Sequence, residues 1–392
     1  MKKTVKDVDV LGKKVFVRVD FNVPLENRKV VDDSRIKASI PTIKYLAENG
    51  AKTILVTHLG RPKGRVVEDY RVDPVANKLK ELIGIKIKKL DYVDPHYIEE
   101  DLEEIQPGEI VMLENVRFLA GEEKCDENLA EGWADLIDIY VNDAFGTAHR
   151  AHASTYGVAE KVDGYAGLLM EKELTFFGDL LDNPERPFVA ILGGAKISDK
   201  IGVIECLIRK VDKILIGGGM ANTFLAAQGF DLGNSFVEEK VIDTAEELLK
   251  KAEYNGIQMV LPFDLVVTDD LKNGTHRRQA KVAEIEAGEI AVDIGDETVD
   301  IFSHIIEDAR TVIMNGPMGV FETSPYHEGT VKVAKALANC DGVTVVGGGD
   351  SAAAMNKAEV EDKISHISTG GGATLKFLQG SKLPGVEVLL NR

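Results

Sequence analysis

The chain has no G-x-x-x-x-G-K-[ST] phosphate loop, although one apolar run ends in ILGGAKISDK (191–200), with two glycines and two lysines. Cysteine is scarce: Cys125, Cys206 and Cys340 are widely separated, with no C-x-x-C pair. That excludes a disulfide framework and a cysteine zinc site, and it points to a reducing compartment. No run of about 18 apolar residues occurs, so no transmembrane helix is expected. The start, MKKTVKDVDV, mixes acids into its basic end and lacks an apolar h-region, so it does not read as a signal peptide. A basic excess is missing too. The net charge of −18 argues against nucleic acid or an anionic membrane as partner, since both need a basic footprint. A small anion remains possible where cations gather locally. The expected location is the cytoplasm.

What is present is a strand–helix rhythm. The 392 residues are long for one core and comfortable for two, because domains run to about 100–200 residues. Hydrophobic content of 44% and charged content of 29% are ordinary for a globular protein. Val/Ile-rich runs at 14–21, 53–59, 109–116 and 138–145 alternate with helical patterns. The rhythm repeats at 188–194, 213–219, 256–262, 311–317 and 343–349. Runs without strict alternation suit parallel strands buried on both faces. SRIKASIPTIKYLAENG (34–50) reads as a helix with Ser34 as N-cap and Gly50 as stop; Pro41 suggests a kink or a late start. The expected fold is α/β: two similar-sized Rossmann-like domains, each an open, mostly parallel sheet flanked by helices. Residues 1–170 and 188–375 form the domains. Residues 171–187 form an interdomain helix and linker, with a cleft expected between the domains.

Four runs in the second half end in glycines: Gly193-Gly194, Gly217 to Gly219, Gly347 to Gly349 and Gly370 to Gly372. Ligands of open α/β sheets bind outside the carboxyl ends of the strands, where glycine permits close backbone approach. The following helix presents free N–H groups to an anion. If GGAKISDKI turns straight into a helix, Lys196 and Lys200 share a face one turn apart, and an anion between them would offset their repulsion. GGGDSA (347–352) also satisfies G-x-G-x-x-[GA], the dinucleotide fingerprint. The acid that fingerprint needs at the end of the next strand is misplaced, because Asp362 precedes that strand. A nicotinamide oxidoreductase is kept as an alternative, as is a non-catalytic metabolite or nucleotide sensor.

In the first half, Arg and His collect at strand ends: Arg35, His58, Arg61, Arg117, His149, Arg150 and His152, with Asp20 and Asn22 nearby. Arginine suits bidentate capture of phosphate and carboxylate. One domain for a polyphosphate and one for a small anionic metabolite is the reading these residues support.

VRVDFNVP, THLGRP, MLENVRF, NDAFGTAHRAHAS, LGGAKISDKI, IGGGMANTFL, NGPMGVFE, VGGGDSAAA and HISTGGGA occur in the order found in the phosphoglycerate kinase family. The chain resembles that family from about residue 4 to residue 387. The resemblance implies a phosphotransferase with a carboxyl acceptor, moving a phosphoryl group reversibly between 1,3-bisphosphoglycerate and ADP. It implies that the N-terminal domain holds 3-phosphoglycerate through Asp20, Phe21, Asn22, Arg35, His58, Leu59, Gly60, Arg61, Arg117 and Arg150, with the arginines and His58 as a basic patch. It implies nucleotide contacts at Gly193, Lys196, Lys200, Asn315, Pro317, Val320, Glu322, Gly348, Gly349, Asp350 and Ser351. Among these, Lys196 follows the transferring group, Lys200 meets the nucleotide phosphates and Glu322 the ribose. Asp350 would bind the Mg²⁺ that accompanies ATP or ADP, and Gly371 and Gly372 open a helix aimed at the transferred group. Residues 376–392 would fold back on the N-terminal domain. Asp296 stands where many relatives have proline, which leaves that loop open. The implied mechanism is domain closure with Arg35, Lys196, Mg²⁺ and Gly371–Gly372 neutralising charge and no general base, since a carboxylate is already ionised at pH 7. A monomer is expected, with a dimer as the alternative.

Overall fold

The computed structural model describes residues 1–272 and 277–392. The chain divides into two compact units, Met1–Thr175 with Lys382–Arg392, and Phe176–Ser381.

The first unit carries β1 (Lys14–Val19), the short hairpin β2 (Leu25–Glu26) and β3 (Lys29–Val30), β4 (Lys52–Val56), β5 (Ile87–Lys89), β6 (Ile110–Met112), β7 (Ile139–Asp143) and β8 (Gly164–Ala166). Among the described residues it has one six-stranded sheet, ordered β5-β6-β4-β1-β7-β8, with every pairing parallel. Burial on both faces explains why these strands are apolar runs: five of the six residues of β1 are buried. The exception in character is Arg18, 1% exposed in the middle of that run. From β1 the chain steps to β4 on one side and later to β7 on the other. The loops leaving β1, β4 and β7 therefore meet at a topological switch point, where α/β sheets bind ligands.

The strands β1, β4, β6 and β7 end two to four residues before the apolar runs that mark them. Asp20–Asn22, Thr57–Arg61 and Ala144–Arg150 leave the sheet as loops. The helix α1 (Ser34–Glu48) runs through Pro41 without ending, because it buries Ile36, Ser39, Thr42, Ile43 and Leu46 on one side while Pro41 is exposed. Ser34 is its first residue and not its cap; the Ser34 N–H donates to Asp32 Oδ1 at 2.8 Å.

The tail rejoins this unit. Lys3 N–H donates to the Leu390 carbonyl at 2.8 Å, and Asn142 Nδ2 donates to the Gly385 carbonyl at 2.9 Å. The division falls inside the helix Leu168–Asp182, whose start is capped by buried Asp143: Oδ1 accepts from the Leu169 N–H at 2.9 Å. Burial pushes the Asp143 carboxyl up to about 6, against its hydrogen bonds.

The second unit contributes β9 (Phe188–Leu192), β10 (Lys213–Ile216), β11 (Gln258–Val260), β12 (Asp264–Thr268), β13 (Arg277–Lys281), β14 (Ile290–Ile294), β15 (Thr311–Asn315), β16 (Val343–Gly347) and β17 (His366–Ser368). Its main sheet is again parallel, ordered β11-β10-β9-β15-β16-β17, and its switch point lies between β9 and β15. The antiparallel trio β13-β12-β14 is a smaller sheet that the parallel rhythm does not foretell. Each main sheet has its own apolar cluster.

Candidate functional site

In the first unit, the loops at the switch point bring most of the expected residues together. Asp20 Oδ2 accepts from Arg35 Nη1 at 2.9 Å, and Asn22 Oδ1 accepts from the Gly60 N–H at 2.9 Å. Phe21 is buried and its N–H donates to Thr57 Oγ1 at 2.9 Å, while Leu59 is clasped by Asn115 through its N–H and its carbonyl. Asn115 thus fixes the THLGRP loop, although nothing in the sequence marked it beyond its place in MLENV. Arg61 is exposed in that loop.

Arg117 is 3% exposed, with Nη1 donating to the Gly60 carbonyl at 2.8 Å and Nε facing Glu123 at 3.3 Å. Its Nη2 is buried with no hydrogen-bond partner, and burial lowers its pKa. An unsatisfied buried guanidinium nitrogen is costly, and an anionic ligand would relieve that cost. His58 joins the arginines without joining their charge. Burial pushes its pKa well down, and Arg18, Arg117, Arg35 and Arg150 push it further. The expected basic patch is therefore guanidinium plus a neutral imidazole.

In the second unit, a cavity of about 380 Å³ opens at the strand ends, lined among others by Gly194, Gly218, Pro317, Val320, Glu322 and Asp350. Phe236 and Leu265 supply an apolar wall. Gly193 sits so close to the Pro317 carbonyl that a Cβ would lie 2.1 Å from it. Glycine is required there for two strand ends to meet.

Lys196 and Lys200 do not share a helical face. Gly194 takes φ +100 and its N–H donates to the Pro317 carbonyl at 2.8 Å, so the chain bends away. The helix begins only at Ile201. Lys196 is exposed, whereas Lys200 is buried and its Nζ donates to the Gly193 carbonyl at 2.6 Å and the Asn315 carbonyl at 2.7 Å. Burial lowers Lys200 to about 8.

Asn315 and Ser351 are stapled inward. Asn315 Nδ2 donates to the Gly347 carbonyl at 2.8 Å, and Ser351 Oγ accepts from the Gly316 N–H at 2.7 Å. Gly348 and Gly349 form the turn into Gly349–Lys357, and Gly371 is the left-handed residue before the short helix Gly372–Leu378. Asp296, where proline was the alternative, begins its helix as proline would. It accepts from Lys332 Nζ at 2.5 Å. A second cavity, of about 260 Å³, lies beside that pair. Its cations are matched, Arg277 to Glu328, Arg278 to Glu289 and Lys332 to Asp296.

Asp293, at the edge of the larger cavity, was not anticipated. Its Oδ2 accepts from the Gly329 N–H at 2.7 Å and its Oδ1 from the Ile294 N–H at 2.9 Å. A Cβ on Gly319 would fall 2.4 Å from Oδ1, so this carboxyl and the loop bearing Val320 and Glu322 fit only as they are. Burial pushes Asp293 up to about 7, and Glu328 adds to the shift. An acid inside the apolar run IAVDI was the available signal.

Among the described residues, no three His, Cys, Asp or Glu side chains are grouped to hold a metal ion, and no helix is long and apolar enough to cross a membrane. Asp350 and Glu322 both present exposed carboxylates at the cavity, within the one or two protein carboxylates that Mg²⁺ takes while phosphate and water oxygens fill its shell.

The family profile described as phosphoglycerate kinase matches residues 5–381. The chain is 53% identical over 391 residues to the phosphoglycerate kinase of Pelotomaculum thermopropionicum, covering 100% of both chains. It is 54% identical to that of Roseiflexus sp. over 99% of both chains. The solved structure of phosphoglycerate kinase from Coxiella burnetii superposes with a TM-score of 0.87 at 36% identity, over 99% of this chain and 98% of that one. The chain belongs to the phosphoglycerate kinase family.

Proposed function

We propose that the first unit holds 3-phosphoglycerate and the second holds the adenine nucleotide, and that the enzyme moves a phosphoryl group between 1,3-bisphosphoglycerate and ADP. The observation that carries the acid assignment is Arg117, buried with an unsatisfied Nη2 and gathered with Arg35 and Arg150 around His58. A dianionic ligand would satisfy that nitrogen and reduce the repulsion among the guanidinium groups.

The reaction needs no base, because the attacking carboxylate, with pKa about 3.5–4, is already ionised at neutral pH. The work left to the protein is to position two anions and spread the charge of the migrating group. Arg35 is prepared for this: Asp20 holds one of its nitrogens while the side chain keeps 30% exposure. Lys196 is exposed on the Gly193–Lys200 loop and is the cation free to follow the transferring group. Lys200, bonded to two carbonyls, holds the β9 and β15 ends in register for the phosphates. Asp350 would hold the Mg²⁺, which when bound neutralises nucleotide phosphate charge. Because the two ligands belong to different units, transfer requires the units to bring them together. The free cysteines suit a cytoplasmic, reducing setting. The net charge of −18 favours a monomer that engages small molecules and neither nucleic acid nor membrane.

The test is a coupled assay of ATP formation from 1,3-bisphosphoglycerate and ADP. Turnover dependent on both substrates is expected. Ligand binding without turnover would favour the sensor reading instead.

A further inference from the structure

Arg18 occupies an unusual place. It lies in β1 between Val56 and Asn142 of the neighbouring strands, 1% exposed. Among the described residues it has no carboxylate within 4 Å. Its three nitrogens are nevertheless engaged: Nε donates to Ser154 Oγ at 2.9 Å, Nη1 to the Val19 carbonyl, and Nη2 lies 3.1 Å from His58 Nδ1.

A guanidinium carries only donors. Its 3.1 Å contact with His58 Nδ1 is therefore a hydrogen bond only if Nδ1 offers a lone pair. The ring proton must then sit on Nε2, and a doubly protonated ring would set N–H against N–H. The charges around His58 agree. Arg18, Arg35, Arg117 and Arg150 all oppose a positive ring, and the nearest carboxylate oxygen, Asp20 Oδ1, stands 3.9 Å from Nδ1.

The other end of Arg18 is tied just as definitely. Ser154 Oγ accepts from Arg18, so its own proton goes to Glu122 Oε1, 2.6 Å away. Glu122 Oε2 accepts from the Ser154 N–H at 2.9 Å. Glu122 is fully buried, and both oxygens are used as acceptors; His152 Nδ1 lies 3.8 Å from Oε1. Burial raises the Glu122 pKa, while Arg18, Ser154 and Arg117 pull against it. This side-chain relay therefore donates outward from Arg18, through Ser154 Oγ to Glu122 on one side and to His58 on the other.

We infer that Glu122, acting through Ser154, is the positioning residue that anchors Arg18, and that Arg18 locks His58 as a neutral ring protonated only at Nε2. His58 then serves the arginine patch as a fixed neutral donor and not as a cation. This rests on the acid-site reading for its role in the reaction, but the tautomer itself does not.

The test has two arms. Long-range proton–nitrogen NMR on the ligand-free full chain should show one His58 tautomer, protonated at Nε2 and unchanged from about pH 5.5 to 8, where an ordinary histidine titrates. In Glu122→Gln, His58 should titrate or show both tautomers. Steady-state kinetics of the same variant should show the acid KM raised about tenfold, the loss of one well-placed hydrogen bond to a charged ligand, with the nucleotide KM unchanged. Ser154→Ala breaks the same relay without leaving a new charge and serves where Glu122→Gln does not fold. Titration of His58 in the wild type, or an Nδ1-protonated ring, would overturn the inference. So would variants that lose only thermal stability and keep both the tautomer and the acid KM. A wild type with the expected tautomer but no turnover would refute the functional reading and leave the tautomer lock standing.

Discussion

The two units meet anions in opposite ways. The first gathers buried side chains whose charges repel one another: Arg18 and Arg117 are 1% and 3% exposed, and Arg35 and Arg150 add to the same field. The second offers glycine turns, backbone and an apolar-walled cavity, with Lys196 exposed and Lys200 spent on two carbonyls. The difference follows from what each would hold. A small acid charged at both ends is best recognised by rigid bidentate forks. A polyphosphate that comes with its own metal needs close backbone approach more than extra side-chain charge. The first design holds like charges close together, and the second does not.

The largest break in this comparison is expected from Arg35→Ala. Turnover should fall by orders of magnitude with nucleotide affinity nearly intact, measured by the coupled assay and nucleotide titration; an unchanged turnover number would remove Arg35 from the mechanism. Lys196→Ala should cost about 10²–10³ in kcat, the loss of one preorganised charge, with acid binding retained. Gly319→Ala forces a methyl against Asp293 Oδ1. It should raise the nucleotide KM by about tenfold, an overpacking cost of about 1–3 kcal/mol, and leave the acid KM alone.

The smallest effect is a pH dependence. Asp293 binds its proton more tightly folded, at about 7, than the ordinary value of 3.8. The wild type should therefore lose stability as pH rises from about 4 to about 7 and then level off. Asp293→Asn lacks this titration. The Tm difference between wild type and variant should shift in the variant's favour across that window, and a constant difference would show that Asp293 does not titrate there.

Much of this was legible in the sequence because parallel strands buried on both faces must be apolar, and because strand ends that approach one another need glycine. Gly193, packed against the Pro317 carbonyl, is such a case. What escaped has equally physical reasons. The strand Arg277–Lys281 reads RRQAK and is exposed at four of its five residues, so no apolar pattern marks it. Lys196 and Lys200 would share a helical face only if GGAKISDKI turned straight into a helix, and a left-handed Gly194 cannot be told from an ordinary one in one dimension. Arg18 and Asp293 look like interruptions of apolar runs, and their partners Ser154 and Gly329 lie 136 and 36 residues away.

The most direct measurement is a pair of calorimetric titrations on Arg117→Ala, one with 3-phosphoglycerate and one with magnesium ADP. If a buried guanidinium patch in one unit receives the acid while glycine turns in the other receive the nucleotide, acid binding is lost and nucleotide binding keeps its wild-type affinity. Retained acid binding, or equal weakening of both ligands, would contradict that division.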